Sequence, residues 1–207
     1  MARRGGAPEV NAGSMADIAF LLLIFFLVTT TIETDAGLDR MLPPLEELDE
    51  QVLIKQRNIF EVQVSEDGQL LVEEELTPLT ELKAKAVAFL DNGGAAQGSP
   101  NYCDYCKGER DPDSSDDPVK AIISLKNDRK TKYSVYVTVQ NELVAAYNEL
   151  RNREAKRLGY NMTFTEMDAE YSNQETPDDV KEKLKIRIKK IQDLFPMKLS
   201  EAETNKN

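Results

Sequence analysis

Apolar positions along the chain fall into one dense block followed by short clusters with regular spacing. The block runs from Ile18 to Val28 without a polar side chain. From Met15 to Ile32, 18 residues contain a single ionisable group, Asp17. At 1.5 Å per residue such a helix is roughly 27 Å long, close to the hydrocarbon thickness of a bilayer. The pattern predicts a transmembrane helix over residues 14–32. A cleaved secretory signal would use Arg3-Arg4 as its basic start and cut after Ala36. An acid and a Gly-Ser pair before the apolar run fit that reading poorly, and no A-x-A sequence follows. A buried core helix would show one polar face, whereas Ile18–Val28 is apolar all round. Arg3 and Arg4 precede the run, and Arg40 is the one basic residue soon after it. The basic side stays in the cytoplasm, so the expected topology is single pass with residues 1–13 inside.

Beyond the block the period changes. Residues 33–57 are acidic, carry Pro43-Pro44, and read as an extended linker. A folded region, 58–207, is then predicted. "IFEVQV" (Ile59–Val64) and "QLLVEE" (Gln69–Glu74) flank Asp67-Gly68, a strong hairpin signal. Thr77 reads as an N-cap with Pro78 first in the helix. Leu79, Leu82, Ala86 and Phe89 form the helix face, which ends near Gly93. "AIISL" (Ala121–Leu125) and "YSVYVTV" (Tyr133–Val139) read as a second strand pair around "KNDRK". A helix from Asn141 to Leu158 follows, with Leu143, Tyr147, Leu150 and Leu158 on one face and Gly159 after it. Another runs from Pro177 to Leu194, with Thr176 as its cap, and "FPMKLSE" reads as a last strand. The order β-β-α-β-β-α-(α)-β suggests a small α+β domain with helices on one face of a mixed sheet.

Composition narrows the function. The 207 residues carry a formal net charge of -11, which argues against nucleic acid as a partner. There is no His, so imidazole metal sites and the usual serine or cysteine triads are excluded. No phosphate-binding loop is present either, and no enzyme, cofactor or metal is expected. Residues 91–119 are rich in Gly, Pro, Asp and Ser and read as an inserted loop. In it "CDYC" pairs Cys103 with Cys106 as a disulfide in an oxidising compartment. A free-thiol pair is the next reading, and a thioredoxin-like site lacks its βαβ context. Asp111, Asp113, Asp116 and Asp117 read as a solvated loop rather than a Ca²⁺ site. The basic run Lys181–Lys190 reads as the solvated face of an amphipathic helix.

Asp17 is the candidate for chemistry. An acid near the end of a span costs less than the 2.5–3.5 kcal/mol or so of a central one, and the apolar run offsets it. Carboxyl groups taken out of water hold their proton more tightly. A carboxyl group placed there can take up a proton on one side and release it on the other. Gly13, Ser14 and Thr31 project within about 60° of it, with Phe20, Leu21, Ile24 and Val28 between. The plainer alternative is that Asp17 reaches the cytoplasmic headgroups and does nothing further.

"VNAGSMADIAFLLLIFFLV" (Val10–Val28) resembles the ExbD/TolR family of proton-driven inner-membrane motor subunits, distant kin of the flagellar stator protein MotB. The aliphatic-Asn pair Val10-Asn11, then Asp17, then the apolar run match the family pattern in order and spacing. Leu42-Pro43 sits where the family shows Leu-Pro beyond its helix. Gly13-Ser14 replaces the usual Thr-Pro. The resemblance implies that Asp17 carries protons, with Ser14 and Thr31 as assistants and Leu42-Pro43 as a partner motif. It implies an ExbB/TolQ-like pentameric ring, a second copy of the chain, and a TonB-like periplasm-spanning partner. The chain would lie in the bacterial inner membrane with its α+β domain in the periplasm. The function so implied is a proton-channel and motor subunit energising transport across the outer membrane. Rivals are a TolR-like role in envelope integrity, a gliding or secretion motor, and, from another class, a binding domain on an inert anchor.

Overall fold

In the computed structural model, the described residues are 12–29 and 55–202. Two separate units divide the chain, 1–39 and 40–207. The first contributes α1 (Ala12–Thr29), 18 residues long. Thr30–Ile32 and residues 33–54 of the expected linker, with Leu42-Pro43, lie outside the described residues, whereas its last three residues, 55–57, are described. Among the described residues, no helix is long and apolar enough to cross a membrane.

The second unit begins with a short 3-10 turn, Gln56–Asn58, that leads into β1 (Ile59–Val64). Asp67-Gly68 turns the chain as the sequence predicts. Gly68 has φ 79°, and Gln69 accepts the Ser65 N–H through its carbonyl at 2.9 Å. β2 (Leu70–Val72) then pairs antiparallel with β1, Val62 opposite Val72. A second turn at Glu73-Glu74, both residues at positive φ, adds β3 (Glu75–Leu76), which the sequence did not announce. α2 (Leu79–Leu90) starts one residue later than expected. Pro78 is its cap, and the Thr77 hydroxyl bonds the Glu75 carbonyl instead.

β4 (Ile122–Asn127) pairs parallel with β1, Ile59 opposite Ile122. The expected partner strand at 133–139 does not exist. Tyr133–Val139 opens α3 (Tyr133–Arg157), a helix of 25 residues. Alternating Val and Tyr imitate a strand. Yet Val135, Val139, Leu143, Ala146, Tyr147 and Leu150 also space at three and four, and all of them join the core or its edge. Thr138 tolerates the helix by donating to the Ser134 carbonyl at 2.8 Å. Burial of that stripe outweighs the β preference of its first turns.

α4 (Phe164–Ser172), unforeseen, begins at Thr163 with a complete capping box to Glu166. α5 (Asp178–Leu194) is capped by Pro177, while Thr176 donates to the Glu170 carbonyl. β5 (Leu199–Ala202) is the last strand, as expected, and pairs parallel with β4. The sheet order is β3-β2-β1-β4-β5, a mixed sheet. One face carries Phe60, Val62, Val64, Ile123 and Leu125 against α2 and α3. The other face is more exposed and mixed, with Ile59, Leu71 and Ile122 beside Glu61, Gln63, Ser124 and Lys126, and Lys126 donates to Glu61 at 3.2 Å. Five helices and this sheet make the described residues a small α+β structure. A second cluster, Ala155, Phe164, Met167, Leu184, Ile188 and Ile191, joins the end of α3 to α4 and α5.

Candidate functional site

Asp17 lies in the second turn of α1, where Gly13 precedes it by four and Leu21 follows by four. Every described side chain from Met15 to Phe26 is exposed, Asp17 included. Phe20 and Leu23 are 62% and 63% exposed. Leucine and phenylalanine normally sit inside a fold. Here they surround the carboxylate without covering it. Ser14 is within α1, three positions before Asp17, and Thr31 lies outside the described residues.

The 91–119 segment differs from the solvated loop that its composition predicts. It is a bonded module seated on four elements. At its start Asp91 is buried at the end of α2 and receives both arms of the Arg153 guanidinium, at 2.5 and 2.6 Å. The Asn92 amide donates to the carbonyls of Asp111 and Ser115, both at 2.9 Å, while its oxygen accepts the Asp111 N–H at 2.9 Å. Gly108 passes so near Asp91 that a Cβ there would stand 2.6 Å from the Asp91 carbonyl oxygen. Cys103 and Cys106 are joined as a disulfide with Cα atoms 5.5 Å apart, and both are buried. Arg110 donates to their carbonyl oxygens at 3.1 and 3.2 Å. Tyr105 reaches across to the Leu194 carbonyl at 2.9 Å and stacks edgewise on Phe195. Burial first, and then the nearby Asp117, Glu154 and Asp104 carboxylates, push the Tyr105 hydroxyl above its ordinary pKa.

The acids of this module part company. Asp111 and Asp113 are exposed, whereas Asp116 and Asp117 are buried. Asp117 accepts the backbone N–H groups of Val119 and Lys120 at 2.6 and 3.0 Å. Asp116 takes Arg57, Lys55 at 3.4 Å and the Asn58 amide at 3.2 Å. Burial alone would raise the Asp116 pKa; the Asn58 donor and the Arg57 and Lys55 cations outweigh it and hold the carboxyl below its ordinary value. Among the described residues no group of acids or cysteines is placed to hold a metal ion.

Inside α3 a charged stripe runs beside the apolar one. Arg151, 5% exposed, donates from Nε and Nη2 to the Phe195 carbonyl at 3.0 and 2.8 Å and so closes the end of α5. Glu154 is fully buried between Arg153 and Arg157. These residues were missed as structural anchors, although one signal was present. Arg151 follows Tyr147 by four and Glu154 follows Leu150 by four, which puts both on the core-facing stripe.

The family model described as "Biopolymer transport protein ExbD/TolR" matches residues 3–153. The match takes in α1 with Asp17, the module and most of α3, and stops before α4. No curated protein matches the chain. A match over most of the length, with the acid-headed apolar helix inside it, means that the chain belongs to the ExbD/TolR family, non-enzymatic motor-type subunits of biopolymer transport in the inner membrane that work with ExbB/TolQ-type partners.

Proposed function

We propose that this chain is the proton-carrying subunit of an ExbB–ExbD type motor that uses the proton motive force to energise TonB-dependent transport across the outer membrane. The observation that carries the reading is α1: one carboxylate, Asp17, heads a helix whose described apolar side chains are exposed all round. Such a helix needs cover from lipid or companion helices. In this reading residues 14–32 span the membrane once, N-terminus inside, with the 58–207 domain in the periplasm. Two copies stand within a pentameric ring of partner helices.

Asp17 then alternates between two states. Neutral, it sits among apolar side chains at little cost; ionised, it needs donors from the ring, because an uncompensated charge there is expensive. Ser14 and Thr31 extend the hydroxyl path on either side. Each elementary charge moved down 100 mV contributes about 2.3 kcal/mol to displacement of the helix within the ring. The 33–57 tether carries that displacement outward, with Leu42-Pro43 as a contact for partners.

Asp17→Asn keeps the size of the side chain and removes its titration. The expected result is loss of proton-driven uptake in cells at unchanged membrane level of the chain. Uptake at the full rate sinks the proposal. Deletion of the chain separates the transport role from a TolR-like one: uptake is lost while resistance to detergents is kept.

A further inference from the structure

The point where the tether meets the folded domain is held by side chains that no strand needs. Lys55, Arg57 and Asn58 all converge on one buried carboxylate, Asp116, about 60 residues further along the chain. The contact with Asn58 is reciprocal, since the Asp116 N–H donates to Asn58 Oδ1 at 2.8 Å. Arg57 also donates to the Pro112 carbonyl. From Asp116 the module runs back through Asn92 to Asp91, whose carboxylate is held by Arg153 of α3. A continuous bonded path thus joins residue 55 to the C-terminal part of α3, at Arg153. Charge-assisted bonds of this kind are the stronger ones, and around a buried carboxylate they are shielded from salt.

We infer that the 91–119 module is a mechanical clamp, with Asp116, Arg57 and Asn58 as positioning residues that pass load from the tether to α3. The inference rests on the motor reading above, in which the tether pulls. Without the clamp, a pull at residue 55 acts first on the Ile59–Ile122 pair, the first rung of the parallel β1–β4 ladder. Such a ladder would open rung by rung from that end. With the clamp, the load divides among the module, α2 and α3 before it reaches β1.

The test uses the full-length chain in detergent and amide hydrogen exchange. The reporters are the Asn58 and Ile59 N–H groups, which donate to the carbonyls of Lys55 and Gln56. In Asp116→Asn, and in Arg57→Gln as a second variant that leaves the buried carboxylate with Asn58 and Lys55, these amides are expected to exchange at least tenfold faster. Those of Leu143 to Leu150 in α3 should be unchanged. Unchanged exchange at Asn58 and Ile59 in both variants overturns the clamp. So does equal acceleration throughout the domain in both, which would mark a general stabilising role.

In cells both variants should lower proton-driven uptake several-fold at normal chain level, because the motor turns and the load slips. Full uptake despite a loosened Asn58–Ile59 segment overturns the load-passing role. Exchange in detergent involves no proton flow. If Asp17→Asn leaves uptake intact while these amides are loosened, it is the motor reading that fails.

Discussion

Leu143 and Leu150 in α3 are 0% and 1% exposed, whereas Leu21 and Leu23 in α1 are 60% and 63% exposed. The residue type is the same, and the helices are of comparable regularity. The domain formed by 55–202 covers its own apolar surface with its own strands and helices; the described side chains of α1 from Met15 to Phe26 are exposed. Burying a leucine-sized side chain contributes about 1.5–3 kcal/mol, so a helix with this many exposed ones leaves on the order of 10 kcal/mol to be gained from outside. The charges differ in the same way. Asp91, Asp116 and Glu154 are buried with cations in contact. Asp17 has no ion-pair partner among the described residues. One region buries its apolar and charged side chains within itself, and the described side chains of the other stand exposed.

That contrast can be broken deliberately. The largest effect belongs to a charge in the middle of α1. On the proposal that α1 spans the bilayer, Leu22→Arg costs about 3–4 kcal/mol of insertion free energy, and the chain should leave the membrane fraction while its domain stays folded. Leu150→Ala, a cavity in the core, should cost the domain about 2–5 kcal/mol by chemical denaturation, whereas Leu23→Ala should leave domain stability unchanged. Arg153→Ala strips the cation from buried Asp91 and leaves Glu154 with Arg157 alone. Because Arg153 is itself partly exposed, a loss of about 2–3 kcal/mol in the same measurement is expected. Thr163→Ala removes the α4 cap and should cost about 1 kcal/mol.

The smallest effect at physiological pH is titration of the clamp. The Asp116 pKa is lower in the folded than in the unfolded state, so its contribution is fully present above the ordinary aspartate value of about 3.9. It is lost as pH falls through the lower folded value. Denaturation midpoints followed from pH 5 to pH 2 should fall more steeply for the native chain than for Asp116→Asn. Equal slopes would mean that the carboxylate gains nothing from Arg57 and Lys55.

Legibility in the sequence followed the range of the interactions. The β1–β2 hairpin could be read because Asp67-Gly68 is a local signal whose energetics are contained in four residues. α2 and α5 could be read from their spacing, each with its cap off by one residue, because proline occupies the capping position in both. The first two turns of α3 could not. Their β-branched residues match two periods, and the choice between them fell to the partners across the core. The α4 capping box was present as Thr163 and Glu166, though in a stretch too short to show a face. The 91–119 module looked like a solvated loop because its composition is polar, and its polar groups proved to be bonded to one another and to distant residues.

Sequence alone determined the acid-headed apolar helix and its family, since a single unbroken run of side chains and one carboxylate specify both. The tertiary structure decided the course of the chain from 91 to 157, the parallel pairing of β1 with β4, and the joining of residues 55–58 to Asp116. Those outcomes depend on contacts between residues some sixty positions apart, and no local pattern encodes which of two charges so far apart will meet.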